Sequence, residues 1–269
     1  MTSSSIPYWH VDAFAARPFC GNQAAVMLLD DWLPDETLVA IAEENKFAET
    51  AFLVRSNAEE VGYELRWFTP TSEVAMCGHA TLASGHVLLT GNEDDTVSFR
   101  TRKAGILKVS RIGRGYELSL PVTLVEPRQN DGLLEALGAT GKVFESVAGA
   151  EDTAIVLLDS AASVRALQPD MRALTAINLM AICTAPGDDG HDIVSRVFVP
   201  AWGVDEDSVT GAAHAALTPF WADRLERGEF TAHQASARGG NLNCRLEGSR
   251  AILGGECVTV VEGRFYLPR

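Results

Sequence analysis

Over residues 63–68 the chain sets Tyr63, Leu65 and Trp67 on one side and Glu64, Arg66 and Phe68 on the other, the two-residue period of a β-strand. Apolar runs or alternations bounded by turn residues such as Gly21-Asn22 predict further strands over 8–14, 24–29, 51–54, 96–102, 106–111 and 116–120. Elsewhere the period lengthens. Pro34 opens a helix that puts Leu38, Ile41 and Ala42 on one face and carries Asp35 and Glu36 in its first turn, where the macrodipole favours acids. This helix is expected to fade near Asn45. A second helix is predicted over 78–90 and a break over 121–127. In the second half a strand over 154–158, short helices over 161–167 and 170–176 and a strand over 195–199 lead to a helical stretch from Gly211 toward Arg227. Pro219 is expected to kink or split that stretch, because it removes a backbone donor and crowds the carbonyl four residues back. Strands over 243–246, 251–254 and 258–267 close the chain.

The pattern repeats. Arg66-Trp67-Phe68-Thr69-Pro70 is echoed by Arg196-Val197-Phe198-Val199-Pro200, and each is followed by a short acidic loop and a helix start built of small residues. Gly78 of Cys77-Gly78-His79-Ala80 follows Pro70 by eight positions, and Gly211 of Thr210-Gly211-Ala212-Ala213 follows Pro200 by eleven. Two related lobes are therefore expected, each presenting a glycine-led helix N-terminus. Such a terminus leaves backbone N–H groups unpaired, and glycine lets a small anion approach them. The same glycines also suit tight strand-to-helix packing, and spacing alone leaves both readings open. Neither start is a nucleotide loop: G-x-x-x-x-G-K-[ST] is absent, and Gly113-Arg114-Gly115 lacks the third glycine of G-x-G-x-x-G.

With 269 residues, 46% of them hydrophobic, the chain fills a core for each of two lobes. Its 36 acidic against 22 basic residues give a formal charge of −14 with no basic block, which argues against nucleic acid and anionic membranes as partners. The first residues lack a basic stretch followed by an apolar one, and no apolar run reaches about 18 residues, so a cytoplasmic location is expected. The five cysteines (Cys20, Cys77, Cys183, Cys244, Cys257) are scattered and odd in number, and are read as reduced. No two form C-x-x-C, and the six histidines form neither H-x-H nor H-E-x-x-H. Neither a dedicated metal site nor a bound cofactor is expected.

Asp12-Ala13-Phe14, Gly21-Asn22, Glu49-Thr50-Ala51-Phe52, Leu65-Arg66-Trp67-Phe68-Thr69-Pro70, Cys77 through Ser84, Glu206 through Gly211, and Arg238-Gly239-Gly240 run in this order over essentially the whole chain. In that order they resemble the PhzF-like (phenazine biosynthesis F-like) isomerases, closest to the branch of the mammalian phenazine-biosynthesis-like-domain protein. The resemblance implies an α+β, diaminopimelate-epimerase-like fold: two pseudo-symmetric lobes, each a sheet curled around a central helix. Their boundaries are expected at 1–123 with 258–269, and at 124–257. It further implies a site between the lobes, a homodimer, a small carboxylate as substrate, and proton transfer without a cofactor. Glu49 matches the proton-carrying glutamate, and His79 and Asp207 match its catalytic neighbours. Asn22, Cys77, Gly78, Thr210, Gly211 and Ala212 match the substrate-binding positions. Three residues depart from the pattern: Ala48 replaces a serine, Ala212 a small polar residue and Gln23 a proline.

Each of these residues also has a plainer reading. Glu49 could be a solvated carboxylate at a strand start, His79 a helix cap or core residue, and Asp207 part of an ordinary acidic turn. Trp67, Phe68, Phe198 and Trp202 suit a core as well as a cleft wall. An amino-acid racemase or epimerase is a second enzymatic reading. Its two-thiol form is disfavoured, because the repeat pairs Cys77 with Thr210, whose hydroxyl carries no comparable proton; Cys77 is then a small buried residue. A protein-interaction module without catalysis is the reading from another class.

Overall fold

A computed structural model describes residues 4–57, 61–147 and 152–267. The chain divides into two compact units, Met1–Ser119 with Gly254–Arg269, and Leu120–Leu253. The first is built from β1 (Ser4–Ala13), β2 (Asn22–Leu29), α1 (Asp35–Asn45), β3 (Glu49–Arg55), β4 (Tyr63–Phe68), β5 (Glu73–Val74), α2 (Gly78–Leu89), β6 (Thr96–Thr101), β7 (Ile106–Ile112) and most of β8 (Gly115–Pro121). The second follows with β9 (Val125–Arg128), α3 (Asp131–Leu137), β10 (Lys142–Ser146), β11 (Thr153–Leu157), α4 (Ala161–Arg165), α5 (Met171–Thr175), β12 (Met180–Pro186), β13 (Ile193–Val199), β14 (Val204–Asp207), α6 (Gly211–Leu225), β15 (Glu229–Gln234), β16 (Gly240–Glu247) and most of β17 (Arg250–Gly255). The last strand, β18 (Cys257–Leu267), returns to the first unit and pairs antiparallel with β1.

Strand pairing makes the repeat explicit. In the first unit β1–β2 is antiparallel, β2–β3 parallel and β3–β4 antiparallel; β5 folds back on β4, α2 follows, and β6 returns parallel to β4 before pairing antiparallel with β7. The second unit runs β10, β11, β12, β13, β14, α6, β15 and β16 through the same sequence of pairings. The repeat extends to side chains. Arg66 makes a bidentate ion pair with Glu73 at 2.8 Å for both bonds, and its guanidinium lies 4.8 Å from the Phe68 ring centre. Arg196 does the same with Glu206 at 2.7 and 2.9 Å, over Phe198 at 4.9 Å. A planar fork that meets a carboxylate with two hydrogen bonds while stacking on an aromatic face ties the short hairpin to its long strand.

Each unit has a helix buried on nearly every side. In α2 the buried positions include Gly78 to Gly85 and Leu89, and strands β1, β2, β3, β6, β7 and β18 surround it. Small residues are needed at that depth: a Cβ on Gly85 would meet Val109 Cγ1 at 2.4 Å. Helix α6 is buried along Ala213 to Thr218 and at Phe220 to Ala222. It runs unsplit through Pro219, which excludes the split of the two outcomes expected there. The carbonyl of Ala215, which Pro219 cannot bond, accepts the N–H of Thr123 at 3.4 Å.

The periodicity missed α3 and strands β5, β9, β10, β12, β14 and β15. Strand β12 is buried along Met180 to Ala185, so it shows no polar alternation, and its Ala, Cys and Thr residues signal a strand weakly. Helix α3 is only seven residues long. Its caps were nonetheless in the sequence: the Asn130 side chain accepts from Leu133 N–H, and Gly138 closes the helix in the left-handed region.

Candidate active site

Four of the residues singled out in the sequence meet inside the first unit. Asn22 and Glu49 stand at the first positions of β2 and β3, whose parallel pairing begins with Ala24 opposite Glu49. Cys77 is the N-cap of α2, and His79 is the helix's second residue. The turn that delivers Asn22 is tightly defined. Gly21 has φ +68°, and a Cβ there would fall 2.1 Å from the Ala13 carbonyl oxygen, so only glycine fits. Just before it the buried Asp12 carboxylate accepts the N–H of Phe19 at 2.8 Å. On the other side, α1 ends at Lys46 in the left-handed region, and the chain turns directly into Glu49.

His79 is 4% exposed and sits at the centre of the group. Its Nδ1 faces the Asn22 side-chain amide nitrogen at 3.2 Å, and its Nε2 lies 3.3 Å from Glu49 Oε2. An amide nitrogen only donates, so Nδ1 accepts and the ring proton resides on Nε2, on the Glu49 side. Cys77 Sγ lies 3.5 Å from Nδ1 and 4.0 Å from Nε2. Glu49 Oε2 is buried, yet the side chain keeps 20% of its surface accessible. One oxygen thus lies buried beside the imidazole, at ion-pair distance without a formed hydrogen bond to it, while the carboxyl stays reachable. The N-terminus of α2 receives no side-chain cap, so its first N–H groups and positive dipole end are available to an anion.

Asp207, Thr210, Gly211 and Ala212 form a group of their own in the second unit. Asp207 ends β14, Thr210 is the N-cap of α6, and Gly211 and Ala212 begin the helix. Thr210 Oγ1 donates to Asp207 Oδ2 at 2.6 Å, so its hydroxyl does not cap the helix. Fully buried Gln234 organises the turn. Its Oε1 accepts the Thr210 N–H at 2.8 Å, and its Nε2 donates to the Asp207 carbonyl at 2.7 Å and to Thr210 Oγ1 at 3.2 Å. The sequence reading missed Gln234, which lies on a strand it did not predict. One helical turn along α6, fully buried His214 donates from Nδ1 to the Thr210 carbonyl at 2.8 Å. Its Nε2 has no hydrogen-bond partner among the described residues. Burial pushes this imidazole down to about 4.

The aromatic residues divide. Trp67, Phe68 and Phe198 are core, whereas Trp202 stands 42% exposed on a short turn after β13. Burial pushes the Cys183 and Cys244 thiols up to about 12, which leaves them unreactive.

The family model for phenazine biosynthesis-like proteins, PhzC-PhzF, matches residues 11–263. The chain belongs to that family. A Pseudomonas aeruginosa protein named as an uncharacterized isomerase is 44% identical over 264 residues, covering 97% of this chain and 99% of its own. The human phenazine biosynthesis-like domain-containing protein is 36% identical over 286 residues, covering 96% of this chain and 98% of its own. The crystal structure of an Enterococcus faecalis phenazine biosynthesis protein of the PhzF family superposes with a TM-score of 0.90 at 38% identity, covering 98% of this chain and all of that one. The fold is accordingly the α+β, diaminopimelate-epimerase-like one. Membership gives the Glu49–His79 pair its context, that of an isomerase-type family. No helix among the described residues is long and apolar enough to cross a membrane.

Proposed function

We propose that this PhzC-PhzF family member is an isomerase that moves a proton along a small unsaturated carboxylate, with Glu49 as the carrier. The observation that carries the reading is the Glu49–His79–Asn22 chain, in which Nε2–H of His79 faces one oxygen of an otherwise accessible carboxyl. Glu49 removes a proton from carbon, and the C–H electron pair moves into the adjoining π system. The new O–H then returns its proton to carbon at the far end, so the double bond shifts with no change in atoms or oxidation state. His79 orients the carboxylate and offsets its charge, and Asn22 fixes the ring tautomer that lets it do so. The uncapped start of α2, at Cys77-Gly78, is suited to the substrate carboxylate. The family resemblance adds Asp207 as a further acid and Thr210, Gly211 and Ala212 as further binding positions, none of which the Glu49 step itself requires.

A two-thiol racemase is disfavoured, because the position of α6 that corresponds to Cys77 is Thr210, whose hydroxyl is engaged by Asp207. The test is to screen small unsaturated carboxylates for conversion and run the reaction in deuterated water. A single carboxyl shielded from solvent carries part of the substrate hydrogen into product. Full solvent labelling of product at every turnover would assign removal and return to separate residues.

A further inference from the structure

The geometry points to Glu49, Cys77 and His79 as a binding site for a borderline divalent cation of the Zn²⁺ type, which blocks the isomerase by occupying its proton carrier. The carboxylate oxygen, the thiol sulfur and an imidazole nitrogen all lie within 4.8 Å of one another, and among the described residues this is the one group of three such donors. The sequence showed no metal-ligand spacing because the three arise from β3 and from the start of α2.

The distances suit the ion. Tetrahedral zinc with Zn–N and Zn–O bonds of about 2.0–2.1 Å and a Zn–S bond of about 2.3 Å sets edges of roughly 3.3 Å between N and O and roughly 3.5 Å between S and N. Here the Nε2 to Oε2 distance is 3.3 Å and the Sγ to Nε2 distance is 4.0 Å. The sulfur lies nearer to Nδ1, at 3.5 Å, so the Cys77 side chain turns toward Nε2 on binding. The charges suit it as well. A thiolate and a carboxylate neutralise a dication, and a neutral imidazole completes a centre that needs no further countercharge in a buried place. Binding displaces the thiol proton to solvent and moves the imidazole proton from Nε2 to Nδ1, where the Asn22 amide accepts it after turning its oxygen inward. The accessible side of Glu49 leaves a fourth position for water. A hard ion such as Mg²⁺ gains little from sulfur and nitrogen donors. The net charge of −14 enriches cations around the molecule.

The inference rests on the proposed isomerase only for its consequence, inhibition, and is tested apart from activity. Co²⁺ is titrated into metal-free protein while near-ultraviolet and visible absorption are followed. One equivalent with a sulfur-to-cobalt charge-transfer band and four-coordinate ligand-field bands is expected, with Zn²⁺ displacing it and a proton released. The Cys77→Ser protein loses the band. Outer-shell changes alone weaken metal sites by about 10–100-fold, so His79→Ala, which removes a ligand, should weaken binding at least that much. Absence of saturable binding, or a band that persists in folded Cys77→Ser, overturns the site. A metal-free protein that binds cobalt as described yet converts no carboxylate leaves the site standing and defeats the isomerase reading instead.

Discussion

His79 places Nε2 3.3 Å from Glu49 Oε2 while Asn22 holds the opposite ring nitrogen at 3.2 Å. Two neighbours on opposite edges of one ring leave a single neutral tautomer that serves both. Replacing Glu49 by Gln keeps the shape and removes the transferable proton. The Glu49→Gln protein is expected to fold and bind substrate while kcat falls by about 10²- to 10⁴-fold, the scale for loss of a general acid-base group. Steady-state kinetics checks this, and a change confined to KM would reassign Glu49 to binding.

Asn22→Asp is expected to harm turnover more than its near-identical shape suggests. A carboxylate in place of the amide only accepts, so Nδ1 must carry a proton: either Nε2 gives up its hydrogen and turns a lone pair toward Glu49, or the ring becomes a cation between two carboxylates. The pH profile of kcat/KM should change along with its height. If Asn22→Asp retained the wild-type profile, the tautomer argument would fail.

Gln234 organises the turn that carries Asp207 and Thr210 by both donating and accepting. In Gln234→Glu the acceptor remains, but a second oxygen now faces the Asp207 carbonyl. The cost should be about 1–3 kcal/mol, the scale for a buried group left without its hydrogen bond. It should shrink as the pH is lowered and the new carboxyl gains a proton that it can donate. Urea denaturation at pH 8 and pH 5 measures this, and a pH-independent cost would contradict it.

His86 and His214 each have their ionisation pushed by burial from 6.5 to about 4. Above pH 6.5 neither ring binds a proton, folded or unfolded. Below it the unfolded chain takes one at each ring and the folded chain does not, so stability falls from pH 6.5 until about pH 4. For fully buried His214 the loss is on the order of 3 kcal/mol. His214→Leu should flatten that part of the curve. Equal slopes for the two proteins in denaturation measured between pH 7 and 4 would show that the ring is not kept neutral.

Part of the first unit was legible because α1, β7 and β8 bury one side only. Leu38, Ile41 and Ala42 give α1, since the boundary between water and core is written into the residue order, whereas β4 keeps its two-residue alternation although Leu65 to Phe68 are all buried. The repeat was legible for a related reason. The Arg66 and Arg196 segments each need the same fork, aromatic face and small-residue helix, so the sequence alone determined that two like units exist. The order of motifs likewise pointed to Glu49, His79 and Asp207 as candidates, of which the structure brings Glu49 and His79 together in the first unit. Other matters were decided only in three dimensions. Strand β12 is enclosed on both faces and loses its alternation, and Pro219 is tolerated because a distant Thr123 supplies the missing partner to Ala215. Gln234 gains its role from the pairing of its strand with neighbours far away in sequence. The meeting of Glu49, Cys77, His79 and Asn22 follows the same logic. A local pattern records which side of an element faces the core, but which ends of different elements converge on one imidazole is set by strand pairing and helix packing, and these join residues that no sequence window contains together.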